Sequence, residues 1–265
     1  MRSVKLFSTA DKDAFPLSPS ALRSRIVRER IRFSGGTPRP SQETKRQAGQ
    51  NVPVKVHGSV YEASAHKGKV RAMAKYTTTI KVPTVNGEER DSKQVSVENH
   101  IQVILDVDAG VLAVLDIGRA RIAELLVSSI AREVLGSEST LAPLTLDKAD
   151  FEKVEAWLYA EDIHDGGGRV VRVIFSDATV MGSKLTEINL KGEDLLREDI
   201  YKEAKTVARS WDTMTFVSPP IGESRATPTC RLTKNGSLLF YGPAVGRETI
   251  DALVDSLVVT LGRRR

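Results

Sequence analysis

The chain is short of the residues that most often declare a chemistry. It has one cysteine, Cys230, in 265 residues, which excludes an intramolecular disulfide and a multi-cysteine zinc site and points to a reducing compartment. Aromatic residues make up only 5%, thin material for an extended base-stacking platform. No apolar run approaches the roughly 20 residues that span a bilayer. The N-terminus, MRSVKLFSTADKD, lacks the apolar core of a signal peptide. These absences predict a soluble intracellular protein, cytoplasmic or nuclear/nucleoid, that does not contact membrane. HExxH, GxxxxGK[ST] and GxSxG are missing, as is any cysteine–histidine nucleophile pattern. Gly166, Gly167 and Gly168 follow a predicted helix, the wrong order for a dinucleotide fingerprint. No cofactor is expected and no catalytic residue can be named.

What the chain does have is a repeated design. Ile101 to Gly136 reads as two strands joined by a turn at Asp108-Ala109-Gly110, then an amphipathic helix. Ile101, Val103, Leu105 and Val107 alternate at the period of a half-buried strand, and Ile122, Leu125, Leu126, Ile130 and Val134 share one helical face. Gly136 stands at the position of a left-handed cap. The pattern returns at the C-terminus: Asn235-Gly236 makes a turn, Leu238 to Tyr241 a strand, and Ile250, Leu253, Val254, Leu257, Val258 and Leu261 a helix face. Asp147 is placed to cap a helix running to Tyr159. Further strands are predicted at 54–62, 69–82, 94–107, 170–175, 185–190 and 213–217, and a helix at 193–210. The fold class expected is α+β, an antiparallel sheet with two hairpin–helix units.

From Leu185 onward the order strand, helix, strand, strand, strand, helix resembles one repeat of the TATA-binding-protein-like fold. The hairpin Thr229 to Gly242 and the helix Gly246 to Gly262 carry the likeness, which Gly110 to Gly136 echoes. The resemblance implies a pseudo-two-fold saddle, a curved antiparallel sheet with long helices on its convex side. The paired phenylalanines that wedge between base steps in that family's founder have no counterpart here. A helix-grip arrangement, one sheet around one long helix, fits the same elements.

Charge is the main functional signal. Net charge is +5, and residues 1–80 contain 16 Lys+Arg against 5 Asp+Glu, a balance of +11 that leaves −6 for the remainder. Residues 34–53, SGGTPRPSQETKRQAGQNVP, have the composition of a flexible linker. Residues 1–53 are therefore read as a basic arm whose removal spares the folded body, followed by hairpin–helix units at 54–146 and 147–265. Ser18 and Pro19 could open a short helix, while the alternation from Glu29 to Phe33 suits a strand equally well. Arginine forks pair with phosphate bidentately, so the arm's Arg23, Arg25, Arg28, Arg30, Arg32, Arg39, Lys45 and Arg46, extended by Lys67, Lys69, Arg71 and Lys75, form the expected nucleic-acid-binding set. Tyr61 and Tyr76 could stack on bases or pack in the core. The expected function is non-enzymatic binding of DNA or RNA. The alternatives are an assembly subunit that binds an acidic protein partner or another copy of itself, and a metal-dependent phosphate-transfer enzyme using Asp106 and Asp108. Asp108 is also a routine turn former. Glu161, Asp162, His164 and Asp165 cluster as oxygen and imidazole donors, a pattern that a polar loop explains equally. His57, His66 and His100 have no paired spacing.

Overall fold

The computed structural model describes residues 2–9, 15–29, 31–36, 55–86, 89–115, 120–136, 141–160, 167–180, 183–223, 225–242 and 245–261. The described fold is α+β, and the strand registers observed are antiparallel. The chain divides into two compact units. The first comprises 1–13, 108–113 and 142–265, and the second 14–107 and 114–141.

The second unit is built on four strands in the order β2 (Arg32–Gly36), β3 (Lys55–His66), β4 (Lys69–Asn86) and β5 (Glu89–Asp106). Side chains alternate across a strand, and β4 sorts them cleanly. Val70, Ala72, Ala74 and Tyr76 are buried, while Arg71 and Lys75 are exposed. The registers Val70↔Leu105, Ala72↔Val103 and Ala74↔Ile101 place β5's buried residues on the same side. Helix α1 (Pro19–Glu29) packs against β3 and β4 and buries Leu22 and Ile26. Helix α2 (Ala120–Ile130) contacts β2 and continues into a wider π turn, Ala131–Leu135. Gly136 ends that turn at φ 105°, but with ψ 160°, so it turns the chain into extended backbone rather than a left-handed cap. Pairing of β3 with β4 stops at Thr77, whereas β4 and β5 continue in register as a two-stranded ribbon to Asn86↔Glu89. The expected Asn86-Gly87 turn falls partly on undescribed residues.

The first unit orders its strands β1 (Arg2–Thr9), β12 (Ser237–Tyr241), β11 (Thr229–Thr233), β10 (Ala208–Val217), β8 (Arg169–Val180) and β9 (Ser183–Lys191), with the short β7 (Leu141–Pro143) paired to β1. Helix α3 (Lys148–Leu158) packs on β10 and β8, with Asp147 accepting from the Asp150 amide at 2.9 Å in a capping box. Helix α5 (Arg247–Thr260) packs against α3. Both expected hairpins precede helices: β5 and β6 (Val111–Leu115), turning at 107–110, lead to α2, and β11–β12 lead to α5. The helix expected over 193–210 is shorter. A 3-10 turn, Leu195–Arg197, precedes α4 (Asp199–Val207), and the chain enters β10 at Ala208 because Trp211 and Met214 are core residues of that sheet.

The N-terminal region is not an arm over its described length. Val4, Leu6 and Phe7 are buried in β1, which pairs with β12 from Arg2↔Phe240 to Lys5↔Ser237. The segment with two readings contains both, a helix over 19–29 and a strand over 32–36. Cutting at residue 52 therefore removes a helix and two strands. Composition misled here because a few apolar residues, Leu22, Ile26, Ile31 and Phe33, do the burying while arginine fills the outer positions. Residues 37–54, the core of the expected linker, lie outside the described residues.

Three stability predictions come from this packing. Leu253 is fully buried and Leu125 only half-buried. Leu253→Ala should cost roughly 2–5 kcal/mol in chemical denaturation, and Leu125→Ala less, about 1–2 kcal/mol, since part of its surface stays in water. Gly58 leaves room for the Phe33 ring: a Cβ there would stand 2.2 Å from Phe33 Cζ and 2.7 Å from the Lys75 carbonyl oxygen. Gly58→Ala should lose about 1–3 kcal/mol by overpacking, read as a lower denaturation midpoint. Burial pushes the Cys230 thiol up to about 12. The native state then holds a proton that the unfolded chain releases from pH 9 upward, so stability should fall as pH rises between about 9 and 12. Burial, then the Glu155 carboxylate, pushes the Tyr201 phenol in the same direction and with the same sign. Native protein at pH 8 should resist a thiol reagent that labels it completely in denaturant.

Candidate nucleic-acid interface

The second unit's sheet has one face under α1, and its other face is exposed over much of β2, β3 and β4 but buried on β5 from Gln102 to Asp106. Strand registers assign the open face without ambiguity, because directly opposed residues in an antiparallel pair point the same way. Arg32 lies opposite Ser59, Ser59 opposite Lys75, and Lys75 opposite His100. His57, Ser59, Glu62, Ser64 and His66 of β3, Arg71, Met73, Lys75 and Thr77 of β4, and Glu98 and His100 of β5 share that side, with Lys69, Gln102, Ile104 and Asp106 buried at its far end. Arg32, His57, Glu62, His66, Arg71, Lys75, Glu98 and His100 are all exposed.

A bulge between Val60 and Glu62 makes Tyr61 an extra, unpaired residue of β3. Bulges commonly re-aim a side chain. Here the Tyr61 ring, 49% exposed, reaches His100 edge-on at 6.0 Å between centroids and 85° between planes. The Tyr61 hydroxyl and His100 Nδ1 are 3.3 Å apart. On the far side of the imidazole, Nε2 stands 3.3 Å from Glu98 Oε1, and Lys75 Nζ is 3.5 Å from Glu98 Oε2. Both partners of the Lys75–Glu98 pair are about half exposed, so the pair contributes no more than ~1 kcal/mol and can be exchanged for another anion.

The expected binding residues divide by role. Arg32, Arg71 and Lys75 meet on the open face, and Lys67 is exposed at the β3–β4 turn with φ 46°. Lys69 is buried at the register position opposite Asp106. Arg23, Arg25 and Arg28 are engaged within the fold. Arg23 Nε donates to the Ala63 carbonyl at 3.2 Å, on the part of β3 beyond β2. Arg25 Nη1 donates to the Val134 carbonyl at 2.8 Å, a cation at a helical C-terminus where free carbonyls favour it. Arg28 pairs with Glu29 at 2.8 Å. Arg30, Arg39, Lys45 and Arg46 lie outside the described residues, as does the cluster of Glu161, Asp162, His164 and Asp165.

The two tyrosines separate as well, Tyr61 exposed and Tyr76 buried at the α1 side. Asp106 and Asp108 do not form a matched pair. Strand β5 ends at Asp106, which is buried, and Asp108 falls in the turn, exposed, so the alternation that would align them stops between them. Sequence reasoning missed the gathering of His57, His66 and His100. Their spacing along the chain carries no signal, and only the β3–β4–β5 register brings them to one side.

The first unit holds a second polar group. Glu155 accepts from the Tyr201 hydroxyl at 2.5 Å and from Lys205 Nζ at 2.9 Å, and Lys205 lies 5.8 Å from the Trp211 ring centroid. Phe151, Phe175 and Tyr201 surround Trp211 at 5.4, 5.0 and 6.4 Å. This arrangement satisfies a buried carboxylate and joins α3 to α4. Its members are committed to one another, and Tyr201 is fully buried. The open face of the second unit is the better candidate for an external ligand. No protein-family model matches this chain, and no curated protein matches it.

Proposed function

We propose that the protein binds nucleic acid without catalysis, through the open face of β2–β5. The observation that carries this reading is the meeting of Arg32, Arg71 and Lys75 with Tyr61, His57, His66 and His100 on the exposed part of the sheet face opposite α1. Among the described exposed side chains of that face, three cations oppose two carboxylates, Glu62 and Glu98, and the Lys75–Glu98 pair is weak enough for phosphate to replace. Lys67 adds a fourth cation at the adjoining turn. The basic segment contributes through Arg32, because Arg23 and Arg25 already donate to carbonyl groups of the fold.

The rival reading, an assembly subunit, finds its support elsewhere. Strand β9 ends the first unit's strand order, its residues Lys184 to Glu187 are all exposed, and Leu185 is 41% exposed. An outermost strand of that kind can accept a strand from a protein partner or another copy, although its lysines are the usual device against such pairing.

The two readings separate by salt titration. With a fluorescein-labelled oligonucleotide, the triple variant Arg32→Gln, Arg71→Gln, Lys75→Gln should bind more weakly at all salt concentrations. Its slope of log affinity against log salt should be shallower by about 0.7–0.9 for each phosphate that the variant no longer neutralises. Thermal stability should change little, because all three side chains are exposed. A parent chain that binds neither DNA nor RNA at roughly micromolar concentration in low salt, where non-specific binders still hold, would overturn the reading.

A further inference from the structure

We propose that the nucleic acid bound on this face is single-stranded, and that Tyr61 is the residue on which a base stacks. The inference rests on the nucleic-acid reading above and adds the class of ligand. Its basis is the position of Tyr61 between two cations. The register runs Val60↔Ala74 and then Glu62↔Met73, so Tyr61 stands level with the step between Ala74 and Met73. Lys75 lies to one side of that level along β4 and Arg71 to the other, about 13 Å apart at the rise of a strand. A ring flanked by cations along one strand direction suits a ligand that alternates flat bases with phosphates.

The ring is also exposed and already held. Half of its surface is open to solvent, yet the edge-on contact with His100 and the 3.3 Å approach of its hydroxyl to Nδ1 fix its setting. Little rotamer freedom is left to lose on binding, which favours affinity. A tyrosine buried for packing would not show this exposure, and Tyr76, one strand away, is that contrasting case at 6%. The bulge supplies the mechanism. As the unpaired residue of β3, Tyr61 is released from the strict alternation that governs the rest of the strand, and it stands exposed although its neighbour Val60 is buried.

Single-strandedness follows from what each ligand offers. A duplex keeps its base faces stacked internally and presents phosphates to the sheet, so Tyr61 would add nothing to its affinity. A single strand exposes base faces, and stacking on an aromatic residue is sequence-tolerant because every base has a π face. His57, His66 and Met73 share the face and extend the surface around the ring.

The test uses the full chain with two probes, a fluorescein-labelled oligo(dT) of about 20 nucleotides, long enough to cover one such site, and a mixed-sequence duplex of the same length. The single strand should bind at least about tenfold more tightly than the duplex. Tyr61→Ala should weaken single-strand binding by roughly tenfold and leave duplex binding and the single-strand salt slope unchanged, since the cations that meet phosphate are all retained. Tyr61→Phe, which keeps the ring and removes the hydroxyl, should stay within about twofold of the parent. Duplex binding as tight as single-strand binding, or a Tyr61→Phe variant as weak as Tyr61→Ala, would overturn the stacking inference and leave the phosphate-contact reading standing. Failure of the parent to bind either probe would overturn both.

Discussion

In the second unit, everything turns on the period of two in β4. Val70, Ala72, Ala74 and Tyr76 face α1, and the residues between them cannot. A slip of one residue would move that entire apolar set to the other face, so burial of these four side chains and their β5 partners holds the register of the sheet. The same constraint delivers Arg71 and Lys75 to the opposite side. The candidate interface is thus the exposed part of the face that the core does not use, with Lys69, Gln102, Ile104 and Asp106 buried at one end of it. Gly58 serves the same geometry from β3: without a side chain it admits the Phe33 ring, which carries β2 and therefore Arg32 into the ladder.

The two polar groupings show why exposure matters more than composition in choosing a site. Glu155, Tyr201 and Lys205 have the residue types of an acid–base centre, and burial together with the Glu155 carboxylate drives the Tyr201 phenol far above its ordinary value. A phenol so strongly held in its protonated form is a donor to Glu155 and a poor proton source for anything else. The group behaves as a satisfied buried network, in which removing one partner would strand a carboxylate. Tyr61, His100, Glu98 and Lys75 form a similar chain at the surface, where the Lys75–Glu98 ion pair at its end is weak, solvated and exchangeable. Weak exposed links are compatible with ligand exchange, and strong buried ones with holding α3 against α4.

Much of the architecture was legible along the chain. The strand ending near Val107, the helical stripe from Ile122, the Asp147 cap and the Asn235-Gly236 turn are local signals, and each appears in the fold, although residues 101–107 are buried on both faces rather than alternating as a half-buried strand would. Errors arose where long-range pairing decides. Leu125 satisfies helical spacing but is only half-buried, because the centre of the buried stripe falls on Ala123, Leu126, Val127 and Ile130. The basic N-terminal segment has the composition of an arm, yet β1 finds its partner in β12, at the far end of the chain. No window read along the chain contains that pairing.

By itself, the sequence determined the α+β class, the order of two hairpins each followed by a helix, and the concentration of positive charge before residue 81, because these depend on periodicity, turn chemistry and composition, whereas the compact units divide at 108–113 and 114–141 rather than at 146. Tertiary structure alone decided which charges could serve a ligand. Hydrogen bonding assigned Arg23 and Arg25 to carbonyl groups of the fold, burial withdrew Lys69, and the cross-strand register brought Arg32, Arg71 and Lys75 together with three histidines whose spacing along the chain meant nothing. It also separated Tyr61 from Tyr76. A bulge, one residue that breaks the alternation, leaves the first at the surface while the unbroken alternation of β4 buries the second.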